Sequence, residues 1–355
     1  MAGNRSSSRG LGPGSRLSRG QILDAAMRHF DLGETQASIA ADLGVSASHL
    51  ARLLKKAKAD GWVRVFVDAD REAELAAQIK QKYPKLKRVE VVPSGSTAAA
   101  TARALGTVAA DYLNELLDQD ELLDEPQIRS IAIGGGMVHQ EMVPQVARRR
   151  NRVSVGPTSL TPSLGRVGRH TAPMVARALA HRLGALVPGQ RAPGALGGSY
   201  YEAWVRPPPP SEGLKGLRRW YQELEGDPAF EVVRDFWRRL DVVFVGVVDI
   251  DWRYSDTAER LEALGTSVHA LRLRGGGGFV ANSCFDSSGS LVPLGPGVPG
   301  IEPAVQLDDL ASGNTAYRVL DAWGPPSGSA GALVRAGIVN VLLCDTIAAD
   351  HLLRG

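Results

Sequence analysis

Apolar residues at Leu50, Leu53, Leu54 and Ala57 follow the i, i+3, i+4, i+7 spacing of one helical face. At ~100° per residue, Ser48, Arg52 and Lys55 fall on the opposite face, flanked by His49 and Lys56. Ser46 stands where an N-cap hydroxyl is wanted, and Gly61 where a C-terminal stop is wanted. A preceding helix is predicted over about Thr35 to Leu43, with Ile39, Ala40 and Leu43 inward. Gly44 supplies the reversal between the two helices, so the pair reads as a helix-turn-helix.

The pattern then changes. "VRVFVDAD" reads as a short strand, and "REAELAAQIKQKYPKLKR" as a connecting helix that ends before Pro84. From Val89 onward, near-continuous apolar runs ("VEVVP", "RSIAIGGG", "RVSVG", "DVVFVGVVDID", "YRVLDAWG", "VNVLLCD") alternate with helical stretches. The helical ones include "TARALGTVAADYLNELL", "VHQEMVPQVARR", "TAPMVARALAHRLGAL" and "TAERLEALG". Strands this apolar beside helices imply a parallel sheet covered on both faces. The tract "RPPPPSEGLKG", residues 206–216, predicts an extended surface loop. The expected organisation is a disordered basic tail over 1–17 and an all-α helix-turn-helix domain over 18–67. A linker helix over 68–88 then leads to an α/β effector-binding and oligomerisation domain over 89–355.

Charge sharpens the first part of this picture. Residues 1–64 hold ten Lys/Arg and five Asp/Glu, a net +5; the rest holds 31 against 33, a net −2, which sums to +3. The positive excess therefore sits on the end whose second helix suits a major groove. Arginine pairs with guanine edges, serine and histidine contact bases or phosphates, and lysine neutralises the backbone. Gln36, Ser46, Ser48, His49, Arg52, Lys55 and Lys56 are the DNA-binding candidates, against the alternative of a solvated face on an ordinary helical hairpin.

The 355 residues, 44% of them hydrophobic, leave room for two or three domains. No apolar run approaches the ~18 residues of a membrane span, and no signal-peptide core opens the chain. Cys284 and Cys344, far apart and without metal-ligand spacing, fit a reducing cytoplasm with inert thiols. A cytoplasmic protein without metal or cofactor is expected.

In open α/β sheets, ligands gather beyond the carboxyl ends of the strands. There "IAIGGGMVHQ" places Gly134, Gly135 and Gly136, which either bring backbone amides to a ligand or permit tight packing. His139 occupies the position of the last glycine of a dinucleotide fingerprint, and no GK[ST] follows. Asp249 and Asp251 close one strand, and Asp345 and Thr346 another; each aspartate holds ligand hydroxyls or caps a turn. Arg166, Arg169 and His170 lie in "LTPSLGRVGRH", as an anion clamp or as solvated charges. No G-x-S-x-G, HExxH or Cys–His context occurs, and Lys215 is the only lysine beyond residue 88, so no catalytic residue is assigned. The competing reading is an isomerase- or transferase-like enzyme with an accessory DNA-binding module, using Asp249, Asp345 and His139 as acid–base groups.

Four passages together resemble the SorC family of bacterial transcriptional regulators, the DeoR-type sugar-binding regulators. "TQASIAADLGVSASHLARLLKKAKADGWV" resembles the family's helix-turn-helix, with Gln36, Ile39, Ala40, Leu43, Ser46, Arg52, Leu53 and Gly61 in register. "SIAIGGGMV" is similar to its first effector-domain strand and glycine loop, and "CFDSSG" to its "FFD..G" segment. "GALVRAGIVNVLLCDTIAADHLL" resembles its C-terminal helix–strand–helix ending. The resemblance spans residues 20–353 in order. It implies an effector domain related to sugar-phosphate isomerases and CoA transferases but without catalysis. It also implies dimers or tetramers on operator DNA that respond to a small metabolite. The chain departs at three places from the pattern that accompanies phosphorylated sugars. Val138, His139 and Gln140 stand where a small residue and a threonine follow the glycine loop; Phe279 after Gly278 replaces an acid; and "WGPPSGSAGAL" lacks the lysine. These departures favour an effector without phosphate. The effector-binding candidates are Gly134, Gly135, Gly136, His139, Gln140, Arg166, Asp249, Phe279 and Asp345.

Overall fold

The computed structural model describes residues 17–30, 34–59, 70–149, 153–159, 171–185, 198–201, 208–250, 257–312, 314–324 and 329–355. Residues 1–16 of the expected tail, the "VRVFVDAD" strand apart from Asp70, Gly61, Arg166, Arg169, His170 and Asp251 lie outside them. The chain divides into two compact units, Met1–Ala69 and Asp70–Gly355.

The smaller unit holds α1 (Arg19–Phe30), α2 (Gln36–Asp42) and α3 (Ala47–Ala59). Thr35 caps α2 by accepting from the Ser38 amide, and Leu43 is its C-cap. Gly44 then turns the chain at φ 67°, in the left-handed region where a Cβ is costly. Ile22, Ala25 and Ala26 of α1 meet Ile39 and Ala40 of α2 and Leu50, Leu54 and Ala57 of α3 in one small core. The 3.6-residue spacing read from α3 is therefore its buried stripe. Arg28 ties the helices from outside, with Nη2 2.6 Å from Glu34 and 2.5 Å from Asp42.

The larger unit is built around a mixed sheet. Its strands are β1 (Arg88–Val92), β2 (Ser130–Ile133), β3 (Ser154–Pro157), β4 (Val242–Asp249), β5 (Gly276–Val280), β6 (Ser283–Asp286), β7 (Tyr317–Ala322) and β8 (Val341–Asp345). Six run parallel in the order β1-β8-β7-β4-β2-β3. The all-parallel expectation needs correction, because β5 pairs antiparallel with the end of β4 and β6 antiparallel with β5. The hairpin forms where Ala281 and Asn282 both take positive φ, 45° and 64°, the backbone of a two-residue turn matched to strand twist.

Helices α5 (Ala98–Glu121), α6 (Met137–Met142) and α7 (Ala172–Leu183) cover one face. On the other lie α4 (Asp70–Lys82), α8 (Gly213–Leu224), α9 (Pro228–Trp237), α13 (Ser329–Arg335) and α14 (Thr346–Arg354). Short helices α10 (Thr257–Ala263), α11 (Val268–Arg272) and α12 (Leu307–Ala311) complete the unit. Alternation within each strand divides the two cores: Val242 and Phe244 point to the α5–α7 side, Val243 and Val245 to the α9–α14 side. Helix α4, expected as a connector, puts Leu75 and Ile79 into the larger core and packs on β1 and α14.

A second correction concerns residues 206–216. From Pro210 the chain is helical, first as a short 3-10 turn and then as α8. Leu217, Trp220 and Leu224 are buried there, and their apolar spacing outweighs the extended tendency of the preceding prolines. Helix α9 follows, with Pro228 at its start and Asp227 as N-cap; its Trp237 Nε1 donates to Pro157 O of β3 at 2.8 Å.

Candidate functional site

Helix α3 presents its polar face as the spacing predicts. Ser46 accepts from the His49 amide at 3.2 Å, Ser48, Arg52, Lys55 and Lys56 are exposed, and His49 is half-buried. Arg52 Nη2 lies 3.4 Å from His49 Nδ1, so the two side chains share one patch. Gln36 is held differently. Its amide Nε2 stands 3.0 Å from His29 Nε2, while His29 Nδ1 stands 2.8 Å from Glu34 O. A His29 protonated at Nδ1 satisfies both contacts and fixes Gln36 at the start of α2.

In the larger unit, the carboxyl ends of β8, β7, β4 and β2 lie side by side, ~4.8 Å apart per strand. The β8 end is a polar knot. Asp345 caps α14 by accepting from the Ala348 amide at 2.9 Å, and also accepts from the Gly324 amide at 3.2 Å and Ser94 Oγ at 2.9 Å. Ser94 Oγ in turn sits 2.8 Å from Thr346 Oγ1, and both residues are half-buried. At the β4 end, Asp249 accepts from Ser329 Oγ at 3.2 Å. Sequence reasoning found both aspartates; it missed Ser94 and Ser329, which carry no motif.

The glycine loop is organised by His139 beneath it. Gly134 N donates to Phe244 O at 2.9 Å, and Gly136, at φ 103°, opens α6. His139 is 2% exposed, with Nδ1 2.9 Å from Gly135 O and Nε2 2.9 Å from Asp321 Oδ1 of β7. Asp321 is itself 5% exposed. Burial disfavours the charged imidazole, but Asp321 and the carbonyls of Gly135 and Gly134 outweigh it and hold the His139 pKa above its ordinary value. Two glycines leave room for this pair. A Cβ on Gly134 would stand 3.2 Å from the His139 ring, and one on Gly246 would stand 3.2 Å from Asp321 Oδ2. The glycines thus serve packing as well as any ligand. Gln140 is half-buried beside the loop.

Phe279 is 3% exposed and belongs to the core of the α9–α14 side, which places its ring in packing rather than in an open pocket. The two cysteines are buried and unpaired; burial pushes the Cys284 thiol up to about 12 and raises that of Cys344 as well, so both stay protonated. Among the described residues no cluster suits a metal ion, and no helix is long and apolar enough to cross a membrane. A pocket of about 260 Å³ lies between Tyr83, Asp286, Ser287, Ser329, Arg335 and His351, and Ser329, which donates to Asp249, links it to the β4 end; the effector candidates singled out from the sequence do not line it.

Residues 67–193 match the family model "Putative sugar-binding domain". The full-length sorbitol operon regulator SorC from Klebsiella pneumoniae superposes with TM-score 0.60 at 21% identity, covering 94% of this chain and 99% of that one. The fold is that of the SorC-type regulators. A probable sor operon regulator from Shigella flexneri gives TM-score 0.61 at 18% identity, over 80% of this chain and 100% of its own. A DeoR-family transcriptional regulator from Listeria monocytogenes gives 0.60 at 14% identity, over the same shares. In sequence, the uncharacterized transcriptional regulator YjhU of Escherichia coli (strain K12) is 27% identical over 110 residues. That match takes in 29% of this chain and spans a third, 33%, of the relative. The solved neighbours and the sequence relative named here are all described as operon or transcriptional regulators.

Proposed function

We propose that the chain is a DNA-binding transcriptional regulator whose operator binding is controlled by a small metabolite held at the carboxyl rim of its larger unit. The observation that carries this reading is α3: a capped helix with its polar and basic face exposed, at the positively charged end of a SorC-type chain. Ser48, His49 and Arg52 read bases in this account, while Ser46, Lys55, Lys56 and Gln36 hold the phosphate backbone. The protein works in the cytoplasm as a dimer or tetramer, since a palindromic operator presents half-sites about one turn (~34 Å) apart. Ligand favours one arrangement of the copies and so changes the spacing of their recognition helices.

The parallel core is read as a sugar-isomerase/CoA-transferase-like domain kept for binding. Two of its former acid–base candidates are otherwise engaged, Asp345 in capping and His139 against Asp321. The effector is a sugar, polyol or related compound without phosphate. Support comes from the rim side chains, Ser94, Thr346, Asp249, Asp345 and Ser329, which are hydroxyls and carboxylates. It comes also from the sor operon named for two structural neighbours. A thermal-shift panel of neutral sugars and polyols beside their phosphates tests the ligand class. Saturable stabilisation by a neutral compound is expected; a response to phosphates alone reverses the assignment and returns the anion to the arginines around Arg166.

A further inference from the structure

Exposed leucine, acid and base lie on neighbouring elements of the larger unit, the end of α5 and the Arg149 segment that joins it to the end of α7. Helix α5 ends in "DQDELLDEP", where Leu122 is 86% and Leu123 47% exposed. These leucines are not on a loose end. The buried Asp120 carboxylate accepts from the Gln127 amide at 2.8 Å and the Ile128 amide at 3.1 Å. The Leu122 and Leu123 amides donate to the Gln119 and Asp120 carbonyls. The turn is built, and it holds two leucines in water beside the exposed Asp118, Glu121, Asp124 and Glu125.

Basic residues adjoin it through Arg149. That guanidinium donates to Asn114 O and Asp118 and lies 3.3 Å from Glu121, while the Arg149 amide donates to Arg182 O at the end of α7. Desolvation, and then the nearby Arg148 charge, lower the pKa of Arg182, so these arginines crowd one another. Arg148 is exposed, and Arg177 and His181 carry exposed positive or titratable groups along α7.

We propose that this surface joins two copies of the chain across a two-fold axis, leucines near the axis and each acidic turn against the arginine patch of the other copy. A two-fold rotation brings adjacent patches of opposite sign onto each other, so a second copy complements both at once. A purely basic or purely acidic partner complements only one. Nucleic acid is repelled by the four acids. Leucines at the centre supply the desolvated area that exposed charge pairs lack.

The proposal rests on the proposed function only in that a palindromic operator needs paired copies, and association is measurable without DNA. The experiment is sedimentation equilibrium of the full-length protein, wild type and two charge-reversed variants. One carries D124K and E125K; the other carries R148E and R177E. Each variant alone is expected to associate at least tenfold more weakly than wild type, and an equimolar mixture to recover association, because its like-charged faces then meet opposites. A variant that merely misfolds is not rescued by mixing. A third variant, L122D with L123D, is expected to stay monomeric alone and in every mixture. A monomeric wild type, wild-type association in both reversed variants, or a mixture that stays apart overturns the proposal. Association that behaves as described in a chain that selects no operator leaves this surface standing and removes the regulator reading.

Discussion

His139 has an acceptor against each ring nitrogen, the Gly135 carbonyl at Nδ1 and the Asp321 carboxylate at Nε2. Burial disfavours the charged imidazole, but Asp321 and the loop carbonyls favour it and outweigh that cost. A histidine whose folded pKa is raised stabilises the fold fully below its unfolded value, ~6.5, and loses that contribution as pH rises through the folded value. Denaturant midpoints measured from pH 6 upward are therefore expected to fall with rising pH in wild type, more than in Asp321→Asn; parallel profiles would remove the charged pair. On the exposed face of α3, Arg52→Ala is expected to weaken specific DNA binding by ~1–3 kcal/mol if the proposed reading holds. Anisotropy titrations that show no change would take Arg52 off the contact list. Histidine and glycine here were legible as a polar residue after a Gly-rich strand end. Their partner was not: Asp321 lies inside "YRVLDAWG", and periodicity does not say which distant histidine an acid in a strand will meet.

Among the elements, Asp345 stands at a place in the sequence that suits two chemistries. Its place after an apolar strand fits both a ligand carboxylate and a cap, and the structure gives it capping, cross-strand and hydroxyl partners at once. Asp345→Ala removes the α14 cap and leaves the buried Gly324 amide unpaired, for an expected loss of ~1–3 kcal/mol. Urea denaturation within ~0.5 kcal/mol of wild type would show that water replaces the carboxylate. In the smaller unit, Leu54→Ala opens a cavity in a core of few residues and is expected to cost ~2–5 kcal/mol there. Calorimetry should show the lower transition moving while the larger unit's stays. The main strands were visible as apolar runs, because both faces of a covered sheet are dry. Helices α8 and α9 were hidden behind a proline tract, and the β5–β6 hairpin behind glycines that carry no apolar pattern.

At the scale of the whole molecule, the proposed division of labour follows the charge distribution: +5 in residues 1–64 and −2 in the rest. What remained illegible is what depends on long-range assembly, namely the rim contacts between separate strands and the surface that faces another copy. The central claim is that the protein binds a defined DNA site and that a small neutral metabolite changes that binding. The most direct measurement is selection of duplexes from a random library by the full-length protein, followed by anisotropy titration of the winner with and without a stabilising sugar or polyol. The account predicts a two-fold-symmetric site and an affinity that shifts at least tenfold, ~1.4 kcal/mol, at saturating ligand. An unenriched library, or a site whose affinity no stabilising compound alters, would contradict it.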